Sequence, residues 1–126
     1  VLSSIVGKIG FPVRSAYAAS KHALHGFFET LWAEYHDEGI RVTMICPGMV
    51  RTNISFHALE GNGKEHGVMD ARQNNGISPE ACARIIIRSV KRNRREVYIG
   101  KEQILVYLRR YFPWLFFRIV SRFKPV

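Results

Sequence analysis

Ser15-Ala16-Tyr17-Ala18-Ala19-Ser20-Lys21-His22-Ala23-Leu24 is the stretch from which the rest of the chain is read. Residues four apart on a helix share a face, one turn above the other, so Tyr17 and Lys21 project side by side. A tyrosine by itself titrates near pH ~10, and an ammonium held against it favours the phenolate. Such a pair is suited to pass a proton to or from a carbonyl or alcohol oxygen. The same spacing also describes an ordinary exposed polar pair, and spacing alone does not choose between the two.

The flanking residues organise a parallel α/β unit around this helix. Val1 to Ile5 reads as the end of a strand, and Gly7, Gly10 and Pro12 mark Gly7–Arg14 as a loop. Ser15 is placed to cap the helix, which runs to about His36 before Gly39 stops it. Leu24, Phe27, Phe28, Leu31 and Tyr35 recur at three and four and predict an apolar side. Ala18, Ala19, Ala23 and Gly26 make another side small enough for close approach of a second helix. Ile40 to Cys46 is β-rich and reads as the next strand. Strand, helix and strand of this kind form a right-handed parallel crossover, and ligands bind beyond the carboxyl ends of its strands. Ser4 and Pro47-Gly48 both fall at such ends.

Taken in order, Ser3-Ser4-Ile5-Val6-Gly7, then Tyr17-Ala18-Ala19-Ser20-Lys21, then Cys46-Pro47-Gly48-Met49-Val50-Arg51-Thr52 resembles the catalytic half of a short-chain dehydrogenase/reductase. Ser4 precedes Tyr17 by thirteen positions, the separation at which that family pairs its serine with Tyr-x-x-x-Lys. The resemblance implies the C-terminal half of a Rossmann-like, doubly wound parallel sheet over residues 1–100, with residues 101–126 as a basic aromatic helical tail. It implies NAD or NADP as cofactor and hydride transfer between nicotinamide and a carbonyl carbon. On that reading Ser4, Tyr17 and Lys21 are catalytic. Tyr17, Lys21, Pro47, Gly48, Val50 and Thr52 contact the cofactor, Lys21 through the nicotinamide ribose and Val50 and Thr52 through its carboxamide. It further implies a homodimer or homotetramer formed through the Tyr17–Lys21 helix. A catalytically silent member, keeping the fold for binding or scaffolding, is one alternative, and a membrane-surface module dominated by the basic tail is another.

The start at Val1, inside a strand that needs a pairing partner, suggests a fragment of a longer chain. No G-x-G-x-x-G follows a strand here, so the choice between NAD and NADP is not legible. From Arg84 onward there are twelve Lys or Arg against Glu96 and Glu102, while residues 1–83 carry seven against eight acids. The net charge of +9 therefore belongs to the C-terminal third. No reading motif accompanies that charge, which argues against nucleic acid.

Cys46 and Cys82 form no C-x-x-C pair and are expected to be free and buried in a reducing compartment. The location that follows is cytoplasmic or peripheral to a membrane. His22 and His25 are expected at the surface or an interface, with no further metal ligands in view. On a strand Ser3 faces away from Ser4.

Downstream, residues Asn53–Ser78 are polar, glycine-bearing and long enough to suggest a lid over substrate. Ser78-Pro79-Glu80 predicts a capped helix to Lys91, and Glu96–Gly100 a last strand. In the tail, Tyr107, Tyr111, Phe112, Trp114, Phe116, Phe117 and Phe123 interleave with Arg109, Arg110, Arg118 and Arg122, and Pro113 breaks the run. No uncharged stretch reaches the ~20 residues that span a bilayer. A helix lying on a membrane surface fits, as does an oligomer contact or a flap over the substrate entrance. The apolar tail and long loop favour a lipid-like or steroid-like carbonyl substrate.

Overall fold

The computed structural model describes residues 1–54, 56, 57, 63–65, 67 and 71–123. Strand β1 (Met44–Pro47) pairs in parallel with β2 (Glu96–Ile99), with Met44 opposite Glu96, Ile45 opposite Val97, Cys46 opposite Tyr98 and Pro47 opposite Ile99. On its other side Ile45 bridges Leu2, also in parallel. The Ser3 N–H donates to the Ile45 carbonyl at 2.8 Å and the Ile45 N–H donates to the Val1 carbonyl at 2.9 Å. The expected parallel arrangement of three segments is therefore present, with β1 in the middle.

Two boundaries differ from expectation. The first strand does not run to Ile5, because Ile5–Gly7 winds into a 3-10 turn. Ser4 is extended (φ −161°, ψ 161°) and its Oγ accepts from the Val6 N–H at 3.2 Å, a capping bond that competes with continued pairing. The second strand begins at Met44 rather than Ile40, since the Ile40 N–H is held by the Tyr35 carbonyl at 3.3 Å. The strand extends one residue further, to Pro47, and the Gly48 N–H then donates to the Ile99 carbonyl at 2.7 Å.

Helix α1 (Ser15–Tyr35) begins at Ser15 itself, with Arg14 in the cap position making no side-chain bond. A 3-10 turn over His36–Glu38 follows, and Gly39 ends it at φ +88°, a left-handed conformation suited to glycine. The anticipated apolar stripe is split. Leu24, Phe28 and Leu31 are half-buried, whereas Phe27 is 64% exposed and Tyr35 is exposed. The fully buried residues of α1 are Ala18 and His25. Gly7 lets this helix approach: a Cβ there would stand 3.1 Å from both the Lys21 carbonyl and the His25 Nε2.

Helix α2 (Ala71–Asn74) lies in the segment expected to form a lid, of which residues 55, 58–62, 66 and 68–70 lie outside the described residues. Helix α3 (Pro79–Lys91) matches its predicted bounds, with Pro79 in the first turn and the Ser78 Oγ accepting from the Ala81 N–H at 3.2 Å. Helices α4 (Gln103–Tyr111) and α5 (Pro113–Val120) follow β2, and Pro113 opens α5 as the sequence break foretold.

Alternate residues of a strand point to opposite faces, and the core divides accordingly. Ile45, Val97 and Ile99 pack with Cys82, Ile85 and Ile86 of α3 on one face. Tyr98 reaches the other face, where Ile5, Ile9, Val106, Phe116 and Val120 cluster. The tail is thus tied into the core through Phe116, which is 1% exposed. Of its other aromatics, Tyr107, Tyr111, Phe112, Trp114 and Phe117 are exposed, whereas Phe123 is half-buried with its ring 5.2 Å from that of Phe11.

Phe116→Ala removes a fully buried ring and is expected to cost about 3–5 kcal/mol, whereas Trp114→Ala, on the outward side of the same helix, is expected to fall within about 0.5 kcal/mol of the parent. Urea unfolding of the two variants checks this, and similar losses for both would contradict the assignment of faces.

Candidate functional site

The carboxyl ends of the three parallel segments meet along one edge, and Ser4 and Pro47 are joined there. The Ser4 Oγ donates to the Pro47 carbonyl at 3.5 Å while accepting from Val6. Two motifs far apart in sequence are brought to one place, as their positions at strand ends required. Gly48 follows immediately, and the Glu102 carboxylate packs against it so closely that a Cβ would collide with it.

Helix α1 carries Tyr17 and Lys21 one turn apart. The Lys21 Nζ donates to the Leu2 carbonyl at 3.1 Å and stands 5.7 Å from the centroid of the Tyr17 ring. Lys21 therefore bridges the first strand end and the phenol one helical turn away, as the i,i+4 spacing demands. Tyr17 is 43% exposed. Among the described residues, no hydrogen bond joins Ser4 to Tyr17, so the three side chains do not form a closed hydrogen-bonded triad.

Beyond the turn, Val50 bridges Ile77 in parallel. The Arg51 N–H donates to the Ile77 carbonyl at 2.9 Å and the Ile77 N–H donates to the Met49 carbonyl at 3.0 Å. Neither bond uses the N–H or C=O of Val50. The Thr52 Oγ1 accepts from the buried Gln73 Nε2 at 3.0 Å, which leaves its own O–H to donate.

A second constellation lies on the sheet face under α1, and it corrects the expectation for His25. His25 is 6% exposed, not a surface residue. Its Nε2 lies 3.0 Å from the Ser3 Oγ and 3.7 Å from the Cys46 Sγ. Its Nδ1 lies 3.6 Å from the Glu96 Oε1 and 4.0 Å from the Glu29 Oε1, and has no hydrogen-bond partner among the described residues. Lys8 pairs with the same Glu96 oxygen at 2.9 Å. Ser3 does face away from Ser4, into this cluster, as strand alternation required. Cys46 is fully buried and Cys82 is buried, both as free thiols, as expected.

The local electrostatics follow from burial. Desolvation lowers the His25 pKa below its usual value, helped by the charge of Lys8 and opposed by Glu96 and Glu29. Burial, reinforced by the charge of Glu96, pushes the Cys46 thiol up to about 12. Burial raises Cys82 as well, and Tyr98 is raised by burial first and Glu96 second. Sequence reasoning missed this group because only the register unites it. Cys46 and Glu96 are diagonal neighbours across β1 and β2, and pairing Met44 with Glu96 sets both on the face that α1 covers.

Both cysteines are therefore expected to resist an uncharged disulfide reagent at pH 8 in the folded protein and to react fully once the chain is denatured. Thiol counting under the two conditions checks this; rapid native labelling of Cys46 would contradict its burial.

Residues 1–62 match the family model described as short chain dehydrogenase. The chain is 44% identical over 123 residues to the dehydrogenase/reductase SDR family member 7B of Xenopus laevis, covering 96% of this chain and 38% of that protein. It is 40% identical over 123 residues to the protein of the same description from Danio rerio, covering 96% and 40% respectively. It is 37% identical over 123 residues to the dehydrogenase/reductase SDR family protein 7-like of Drosophila melanogaster, covering 96% and 38%. The chain thus spans about two fifths of the length of these relatives.

Proposed function

Membership of the short-chain dehydrogenase/reductase family is supported by the match over residues 1–62 and by these relatives, and on that footing we propose that the chain supplies the proton-transfer site of an NAD(P)-dependent oxidoreductase interconverting a carbonyl and a secondary alcohol. The observation that carries the reading is the meeting of Ser4 and Pro47 at one sheet edge, with Lys21 tying the Tyr17 helix to the adjoining strand end. The nicotinamide, when bound, supplies the hydride.

Tyr17 gives its hydroxyl proton to the carbonyl oxygen in reduction and takes one back in alcohol oxidation. Ser4 donates to the same oxygen and fixes its position. Lys21 keeps a positive charge beside the phenol and directs its remaining donors to ribose hydroxyls. The Val50 main chain and the Thr52 O–H suit a carboxamide, which needs one donor and one acceptor partner, and the Pro47-Gly48 turn sets their direction. The exposed Ala19, Ala23, Gly26 and Phe27 of α1 fit the close approach of a second copy of this helix.

In a chain of the relatives' full length, Tyr17→Phe is expected to lower turnover at least ~100-fold with cofactor binding and circular dichroism unchanged. Ser4→Ala is expected to lose roughly a hundredfold as well. Unaltered turnover in Tyr17→Phe would leave the catalytically silent reading in its place.

A second reading concerns the tail, where exposed Tyr107, Tyr111, Phe112, Trp114 and Phe117 stand among Arg109, Arg110 and Arg118. Aromatic rings beside arginines suit the interface of an anionic membrane, and a lipid-like substrate would then be met at that surface. Among the described residues no helix is long and apolar enough to cross a membrane. Replacing Trp114 and Phe117 by serine spares Phe116 and is expected to release the protein from anionic vesicles in co-sedimentation; unchanged partitioning would favour contact with a second subunit.

A further inference from the structure

The cluster beneath α1 contains an arrangement that hydrogen bonding among its own members does not satisfy. The Ser3 Oγ lies 3.4 Å from the Lys21 carbonyl and 3.0 Å from the His25 Nε2; when its proton goes to that carbonyl, its oxygen accepts from Nε2–H. That tautomer makes Nδ1 a lone pair. It is buried, has no hydrogen-bond partner among the described residues, and faces the Glu96 Oε1, another acceptor, at 3.6 Å. The Cys46 Sγ stands 3.9 Å from the same carboxylate oxygen, with only its own thiol proton between them. Three ligand-type atoms, one each from His25, Cys46 and Glu96, all lie within 4.8 Å of one another.

We propose that His25, Cys46 and Glu96 hold one thiol-seeking divalent cation of the zinc class between the sheet and α1. Atoms bound to a tetrahedral zinc at about 2.0–2.3 Å stand about 3.5 Å from each other; Nδ1 and the Cys46 Sγ already stand 3.6 and 3.9 Å from the Glu96 Oε1, and ligation at Nδ1 requires the Sγ, now 3.7 Å from Nε2, to close on Nδ1. A nitrogen, sulfur and carboxylate set suits zinc and disfavours magnesium and calcium, which take oxygen ligands. The Ser3 bond to the far ring nitrogen supplies the outer partner that fixes a metal-ligating imidazole.

Binding breaks the Cys46 S–H bond, forms a sulfur–metal bond and releases the proton to solvent. The thiolate and carboxylate then balance the charge of the ion. Lys8, which now pairs with Glu96, is 25% exposed in its side chain and gives way toward water. Glu29, at 4.0 Å from Nδ1 and exposed, or a water molecule takes the fourth position.

The site is separate from the Tyr17 edge, and its test does not read turnover. Chelator-treated protein titrated with cobalt(II), a spectroscopic stand-in for zinc, is expected to develop one equivalent of a thiolate-to-metal charge-transfer band with tetrahedral visible bands, and excess zinc should bleach both. Cys46→Ser is expected to abolish the charge-transfer band, Glu96→Gln to weaken binding at least tenfold, and Cys82→Ser to leave both unchanged. Circular dichroism confirms that each variant folds. Absence of the band in folded parent protein, or a band that survives Cys46→Ser, overturns the proposal.

Discussion

Everything in this molecule depends on Ile45 being paired on both sides. Leu2 bridges it from one direction and Val97 from the other, all in parallel. A central parallel strand must be covered on both faces, and its short run of Met44, Ile45 and Cys46 is buried throughout. Because the three segments run the same way, their carboxyl ends coincide. The Ser4, Pro47 and Gly100 ends therefore share an edge, and chemistry-bearing residues distant in sequence become neighbours there.

The alternation of side chains then divides the labour between the two faces. Ile45, Val97 and Ile99 take the α3 face, an apolar packing layer with Cys82 as a small filler. The opposite face carries Cys46, Glu96 and Tyr98, and it must be covered by something that tolerates polar atoms. Helix α1 does this with His25 rather than with a leucine, while Phe116 and Val120 of α5 close the remaining apolar part against Ile5 and Ile9. One face is therefore purely a matter of burial, whereas the other mixes burial with unsatisfied polarity.

That mixture has an energetic consequence. A buried imidazole nitrogen without a partner costs on the order of 1–3 kcal/mol. The neighbourhood offsets part of it through the Lys8–Glu96 pair at 2.9 Å, which is partly exposed and so contributes modestly. The Tyr17–Lys21 edge is different in kind. Its groups are exposed or half-exposed, and their arrangement rests on backbone anchors at Leu2 and Pro47 rather than on mutual hydrogen bonds. Such an edge is accessible to solvent, whereas His25 and Cys46 are buried.

Local signals were legible where the physics is local. The Ser78 cap with Pro79, the Gly39 stop, the Pro113 break and the i,i+4 placement of Lys21 beside Tyr17 each depend on neighbours within a turn, and each was readable from the residues. The strand ends were readable to within a few residues, and so was the convergence of Ser4 with Pro47, because parallel strands leave little choice. The side of α1 that would be buried was not readable. Its apolar residues pointed to Leu24, Phe27 and Phe28, yet the helix turned Ala18 and His25 inward, since the close approach permitted by Gly7 admits only what fits beside Ser3. The sequence alone determined an α/β unit with a phenol and an ammonium on one helix face. Tertiary structure alone decided that His25, Cys46 and Glu96 meet, because strand register and helix docking are set by long-range packing that no local spacing encodes.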